Sequence, residues 1–295
     1  MEISLSFISV AVLIGGLVGL LTGIFGVGGG FILTPLLMIC MGVSSPIAVG
    51  SGLAVILINS TWGLYKRRGT GTVDAKLSFI ISAGSFFGVL AGSFLLRYLA
   101  SLPDIAIFGK EQNTADYFLL WLFVMLLSFI AGYLYYDYHK HNGKAPAVRI
   151  GFFAKFPIKP LGNFPSLEQP SLSLPLLVGL GVAVGLLTGL LGVGGGVILL
   201  PALVYLVGQR AVKAAGTSLL LVWIASFIAV IQKGIGGEIN LPLTVALLIG
   251  GLIGTSFGTK FGLKFEGPKI RLYFVYVVIA ATLLVAYEIT RLTLG

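Results

Sequence analysis

Two short runs of glycine hold the most chemistry this chain offers. GLLTGIFGVGGGFILTP, from Gly19 to Pro35, and GLLTGLLGVGGGVILLP, from Gly185 to Pro201, agree at 13 of 17 positions when shifted by 166 residues. In the first copy five glycines fall within eight residues, Gly23 to Gly30. Glycine is about 1 kcal/mol worse than alanine inside a helix, so a plain lipid-spanning helix gains nothing from them. A loop whose backbone must approach another backbone, or a ligand, does gain. Each GVGGG precedes a short apolar segment, beginning at Phe31 or Val197. If helices start there, their first N–H groups are unpaired and the helix dipole places about half a positive charge on them, an anion site that needs no Lys or Arg. Gly28, Gly29 and Gly30, with Gly194, Gly195 and Gly196, are therefore candidate anion contacts through the backbone. The competing reading, that the glycines only let crossing helices touch, stays open.

Polar residues nearby favour a ligand. Thr22 and Thr188 occupy equivalent places one turn before the loops, and the third apolar segment of each copy carries Ser51, Asn59 and Ser60, or Thr217, Ser218 and Ser226. Any one Ser or Thr is explained more simply by a hydrogen bond to the carbonyl four residues back. Asn59 is different, because a buried amide in an apolar run needs partners. The candidate substrate-binding set is Thr22, Gly28, Gly29, Gly30, Ser51, Asn59, Thr188, Gly194, Gly195, Gly196, Thr217 and Ser218. No Asp, Glu, Lys or Arg is expected in the middle of a segment, where proton- and cation-coupled carriers usually keep one; Asp74, Glu238 and Glu266 are placed at segment ends. The chain has no GxxxxGK[ST], GVGGG does not fit GxGxxG, and neither HExxH nor GxSxG occurs. No enzyme activity and no cofactor are expected. His139 and His141, with only Asp137 beside them, are too sparse to expect a metal site.

The elements that must position these residues are membrane helices. The chain is 57% hydrophobic and 10% charged, with a mean hydropathy of +1.05, against about 25% charged residues in soluble domains. Runs long enough to cross a bilayer recur. Backbone in lipid must pair within a helix or a closed barrel, and the runs lack the in–out alternation of barrel strands. The expected fold class is an all-α polytopic membrane protein with about ten helical segments. These cover roughly 4–25, 29–42, 46–65, 75–99 and 116–137, then 172–191, 195–207, 212–232, 241–263 and 270–292. The second of each five is too short to span the bilayer upright. The 166-residue shift also superposes Gly15, Gly19 and Gly23 on Gly181, Gly185 and Gly189, and Gly84, Gly88 and Gly92 on Gly250, Gly254 and Gly258. Glycines four apart put small residues on one helix face for close packing. The expected organisation is one five-segment repeat over 1–138, a cytoplasmic linker over 139–170 that is either interfacial or solvated, and a second repeat over 171–295.

Charge sets the orientation. If all ten segments cross, 15 Lys and Arg fall on one side and four on the other; if the short ones do not cross, the split is 11 to 8. The positive-inside rule favours ten crossings, with both termini outside. Five is odd, so the second repeat enters from the opposite face: the repeats are expected to be inverted. The net charge of +9 is explained by this rule, and nucleic acid is not an expected partner. MEISLSF lacks the basic start of a secretory signal, so the first helix is expected to be retained. The single Cys40 is expected to be a buried packing residue.

The doubled GLLTGxxGVGGGxxLxP, each copy followed by a short apolar helix and a Gly-Ser or Gly-Thr pair (Gly50-Ser51, Gly216-Thr217), resembles the sulfite exporter TauE/SafE family of bacterial and archaeal membrane proteins. The resemblance covers both repeats and implies transport of a small sulfur-containing anion, such as sulfite or an organosulfonate. The expected function is a secondary transporter of the cell membrane, an exporter of a sulfite-, sulfonate- or carboxylate-type anion, working by alternating access. An anion channel on the same scaffold, or a scaffold protein without flux, is the alternative.

Overall fold

A computed structural model describes residues 5–107, 110–140, 150–164, 167, 171–262, 264 and 267–294. Ten helices follow one another: α1 (Leu5–Phe25), α2 (Gly30–Met41), α3 (Ser45–Lys66), α4 (Ala75–Ala100), α5 (Thr114–Lys140), α6 (Leu174–Leu191), α7 (Gly196–Val207), α8 (Ala211–Ile235), α9 (Leu241–Gly262) and α10 (Gly267–Leu294). The last five residues of α7, Leu203–Val207, wind as a π-turn. Eight of the helices are long and apolar enough to cross a membrane; α2 and α7 are the short ones. Each short helix carries the motif proline within it, Pro35 or Pro201, and each ends on a glycine with positive φ, Gly42 or Gly208, the common stop for a helix. Large apolar side chains such as Leu13, Phe79, Phe87, Phe94 and Phe129 are exposed on the outside, as lipid-facing helices require.

The glycine faces decide the packing. α1 lies against α9 and α4 against α6. A methyl group on Gly15 or Gly19 would run into the carbonyl of Leu247 or Gly251; one on Gly84 or Gly88 would run into that of Val178 or Val182. These helices touch backbone to backbone, the contact small residues permit in lipid. The contacts obey the sequence repeat: Gly181 meets Ile81 as Gly15 meets Leu247, and Gly250 meets Val12 as Gly84 meets Val178.

α3 and α8 cross at the centre and run in opposite directions. The start of α3 lies beside the end of α8, where Asn240 N donates to Ser51 Oγ at 2.9 Å. The start of α8 lies beside the end of α3, where Asp74 N donates to Thr217 Oγ1 at 3.1 Å. Asp74 and Asn240 are themselves equivalent, and each caps the next helix by accepting from Leu77 N or Leu243 N. Between α5 and α6 the described residues form a short 3-10 turn (Phe152–Lys155) and a two-stranded hairpin pairing Leu161–Asn163 with Ser171–Ser173.

Two sequence expectations are corrected. Cys40 is exposed, because α2 buries the side holding Phe31, Leu33, Thr34, Leu36 and Leu37 and turns its last residues outward. Glu288 lies well inside α10 and is nearly buried, paired with Arg291 at 3.5 Å. Lys233 belongs to the last turn of α8 and is fully buried, so the helices do contain ionisable groups. His141 falls outside the described residues.

Candidate functional site

The two GVGGG loops meet. Gly28, Gly29, Gly194 and Gly195 have φ between 66° and 75°, a conformation that costs other residues but not glycine. They turn the chain inward from the ends of α1 and α6, so that α2 and α7 begin in the interior. There the helix starts abut. A Cβ on Gly30 would lie 2.5 Å from the Gly192 carbonyl oxygen, and one on Gly196 would strike the Val27 carbonyl. Ile56 of α3 and Val222 of α8, again equivalent residues, touch both loops: they lie 3.0 and 2.7 Å from a Cβ on Gly28, and 3.2 Å each from one on Gly194.

The N–H groups of Gly28, Gly29 and Gly30, and of Gly194, Gly195 and Gly196, donate to no acceptor among the described residues. Two helix N-termini thus present free donors at one place, where their partial positive charges add. An unmade buried hydrogen bond costs about 1–3 kcal/mol, which an anion accepting from these groups would recover.

The other expected residues divide into groups. Thr22 and Thr188 bond back to the Val18 and Val184 carbonyls, both at 2.8 Å. Their hydroxyls lie 3.0 and 3.2 Å from a Cβ on Gly29 and Gly195, so they wall the loops. Ser218 Oγ donates to the carbonyl of Gly26 at 2.8 Å, tying α8 to the first loop; its equivalent is Gly52, which cannot. Ser51 and Thr217 are engaged away from the loops, in the clips that hold the starts of α9 and α4. Asn59 is fully buried, and neither amide atom has a partner among the described residues. Thr34 Oγ1, Ser226 Oγ and Thr255 Oγ1 are likewise buried and unpartnered. Thr34 lies 3.0 Å from a Cβ on Gly192, and Ser226 lies 3.4 Å from one on Gly194. Sequence reasoning passed over Thr34 and Thr255, since a hydroxyl in an apolar run looks the same whether or not its helix satisfies it.

It also missed two buried cations. Arg67, just past α3, is 3% exposed and donates from Nη2 to the Gly23 carbonyl at 2.9 Å. Its equivalent Lys233 bonds Glu238 at 2.5 Å, and Arg97 pairs with the same carboxylate. Beside the Arg67 end a cavity of about 230 Å³ is lined by Gly71, Val73, Asp74, Ala75, Lys76, Phe164 and Lys213. Lys76 there donates to the Asn163 carbonyl at 2.8 Å.

Comparison with known proteins agrees with this architecture. The family model described as Sulfite exporter TauE/SafE matches residues 11–285. The "Probable membrane transporter protein YunE" of Bacillus subtilis is 27% identical over 256 residues, covering 83% of this chain and 84% of that protein. YjnA of the same organism, also named a probable membrane transporter protein, is 26% identical over 242 residues, covering 82% and 85%. A probable membrane transporter protein of Xylella fastidiosa (strain 9a5c) is 28% identical over 212 residues, covering 70% of this chain and 67% of that protein. No solved structure matches the chain. With ten helices among the described residues, eight of them able to span, and a family match over nearly its whole length, the chain belongs to the sulfite exporter TauE/SafE family of membrane transporters.

Proposed function

We propose that this protein is a secondary transporter, not an enzyme, that exports a small anion, most simply sulfite or an organosulfonate, across the cell membrane by alternating access. The observation that carries the reading is the meeting of two glycine loops whose N–H groups have no acceptor among the described residues. In this reading the repeats are inserted with opposite polarity, α2 and α7 complete the crossings begun by their loops, and both termini face outside. The opposed directions of α3 and α8, which occupy equivalent places in the repeat, support it. So does the cation count, which by the positive-inside rule favours the cytoplasm for the Arg67, Lys76 and Lys213 end.

Inverted repeats can exchange conformations around a shared central site. Thr22 and Thr188 hold the loops in shape, Ser218 anchors the first of them, and Asn59 lies one turn beyond Ile56. An inside-negative potential of 100 mV favours outward movement of a monovalent anion by about 2.3 kcal/mol, so export needs no coupling ion.

The test is flux of labelled sulfite, sulfoacetate, taurine and small carboxylates in proteoliposomes. Saturable flux with counterflow is the expected result. Conductance that rises linearly with potential, without counterflow, would mean a channel. No flux with any of these solutes would leave a scaffold.

A further inference from the structure

Where α3 and its C-terminal end meet α9, a row of unmet polar groups leads away from the loops. Asn59 packs on the backbone of Gly251: a Cβ there would lie 2.7 Å from Nδ2 and 2.8 Å from Oδ1. One turn further along both helices, the methyl of Thr255 is 3.7 Å from a Cβ on Gly63, and Thr255 Oγ1 has no partner. A further turn brings Arg67, whose Nε is also unpartnered and whose guanidinium meets no carboxylate among the described residues. The row begins one turn beyond Ile56, which touches both loops, and ends beside the cavity that Lys76 and Lys213 line.

The same helix crossing in the second repeat lacks these three groups. Ala225 stands for Asn59, Ala229 for Gly63 and Val89 for Thr255. Lys233 stands for Arg67, and its charge is met by Glu238, where the first repeat has Thr72. At these positions the packing of α8 against α4 uses only small and apolar residues. The amide, the hydroxyl and the bare cation of the first seam are therefore not demanded by the architecture.

We infer that Arg67, Thr255 and Asn59 form a second anion station, through which a small oxyanion passes between the Arg67 end and the glycine loops. Arg67 supplies the charge, with Nε–H donating to an oxyanion oxygen. Thr255 Oγ1 and Asn59 Nδ2 donate further along, while Asn59 Oδ1 accepts from the anion's own O–H or from a water it carries. The single cation suits a singly charged oxyanion. This station rests on the anion-transport reading above.

The test is concentration-dependent sulfite flux in proteoliposomes, together with the sulfite-induced rise in Tm of the purified full-length protein. Arg67→Gln is expected to raise the half-saturating concentration about tenfold or more and to abolish the sulfite-induced rise. Arg67→Lys should recover most of both. Asn59→Ala and Thr255→Val, which copy the second repeat, should each raise it several-fold. If Arg67 only holds the end of α1, Arg67→Gln lowers Tm without sulfite and leaves the half-saturating concentration unmoved, which overturns the station. Should Arg67→Gln not fold, unchanged saturation in Thr255→Val and Asn59→Ala overturns it equally. Wild-type protein that moves no anion fails the transport reading itself, and the station with it; wild-type flux with unaltered variants fails the station alone.

Discussion

The two glycine loops are built alike, and the two seams beside them are not. At the loops the repeats stay nearly identical: the same glycines, the same threonine a turn earlier, and Ile56 and Val222 touching both. Along α3 and α8 they have parted, so that Asn59, Thr255 and Arg67 face Ala225, Val89 and a neutralised Lys233 at the equivalent places. Residues that both repeats need in order to meet at the centre are held in common. Residues that differ are free of that demand.

Stability separates the two kinds of position. The largest effect is expected at the divergent end. Glu238→Gln leaves Lys233, fully buried, with no counter-charge, and removing one member of a buried pair costs about 3–5 kcal/mol. Adding Lys233→Met should restore most of this, read as Tm in detergent. Arg67→Gln should show no comparable loss, since no carboxylate is left unpaired. The next effect should be equal in both repeats: Gly30→Ala and Gly196→Ala each force a methyl into the backbone of the opposing loop. Overpacking of this kind costs about 1–3 kcal/mol or more, and the fraction of monodisperse protein should fall for both. Smallest and again matched are Asp74→Ala and Asn240→Ala, which remove the caps of α4 and α9 at about 1 kcal/mol each. Unequal losses within either matched pair would weaken the claim that the repeats are built alike.

Much of this was legible in the sequence. Helix number, the short second members and the glycine faces follow from apolar run length and from glycine spacing, both local properties. So does the presence of a loop at GVGGG, because nothing else tolerates glycine at that density. What the pattern could not give is contact between residues far apart in the chain. Arg67 reads as one of several loop cations near Lys66 and Arg68, and only the approach of α1 puts it against Gly23. Ser51 and Thr217 read as pathway donors, yet they find the backbone of Asn240 and Asp74 first. Cys40 reads as core because its neighbours are apolar, but on a helix of 12 residues one face must look outward. Asn59 was singled out on the argument that an amide needs partners, and it is found buried with none.

If the repeats are inverted, their equivalent residues face opposite sides of the membrane and their loops meet in the middle. Arg68 and Gly234 are equivalent and both exposed. In a Cys40→Ser background, Arg68→Cys and Gly234→Cys can be probed one at a time with a membrane-impermeant maleimide on intact cells and on inverted vesicles. The cysteine at 234 should label in cells and the one at 68 only in inverted vesicles. Labelling of both from the same side would contradict it.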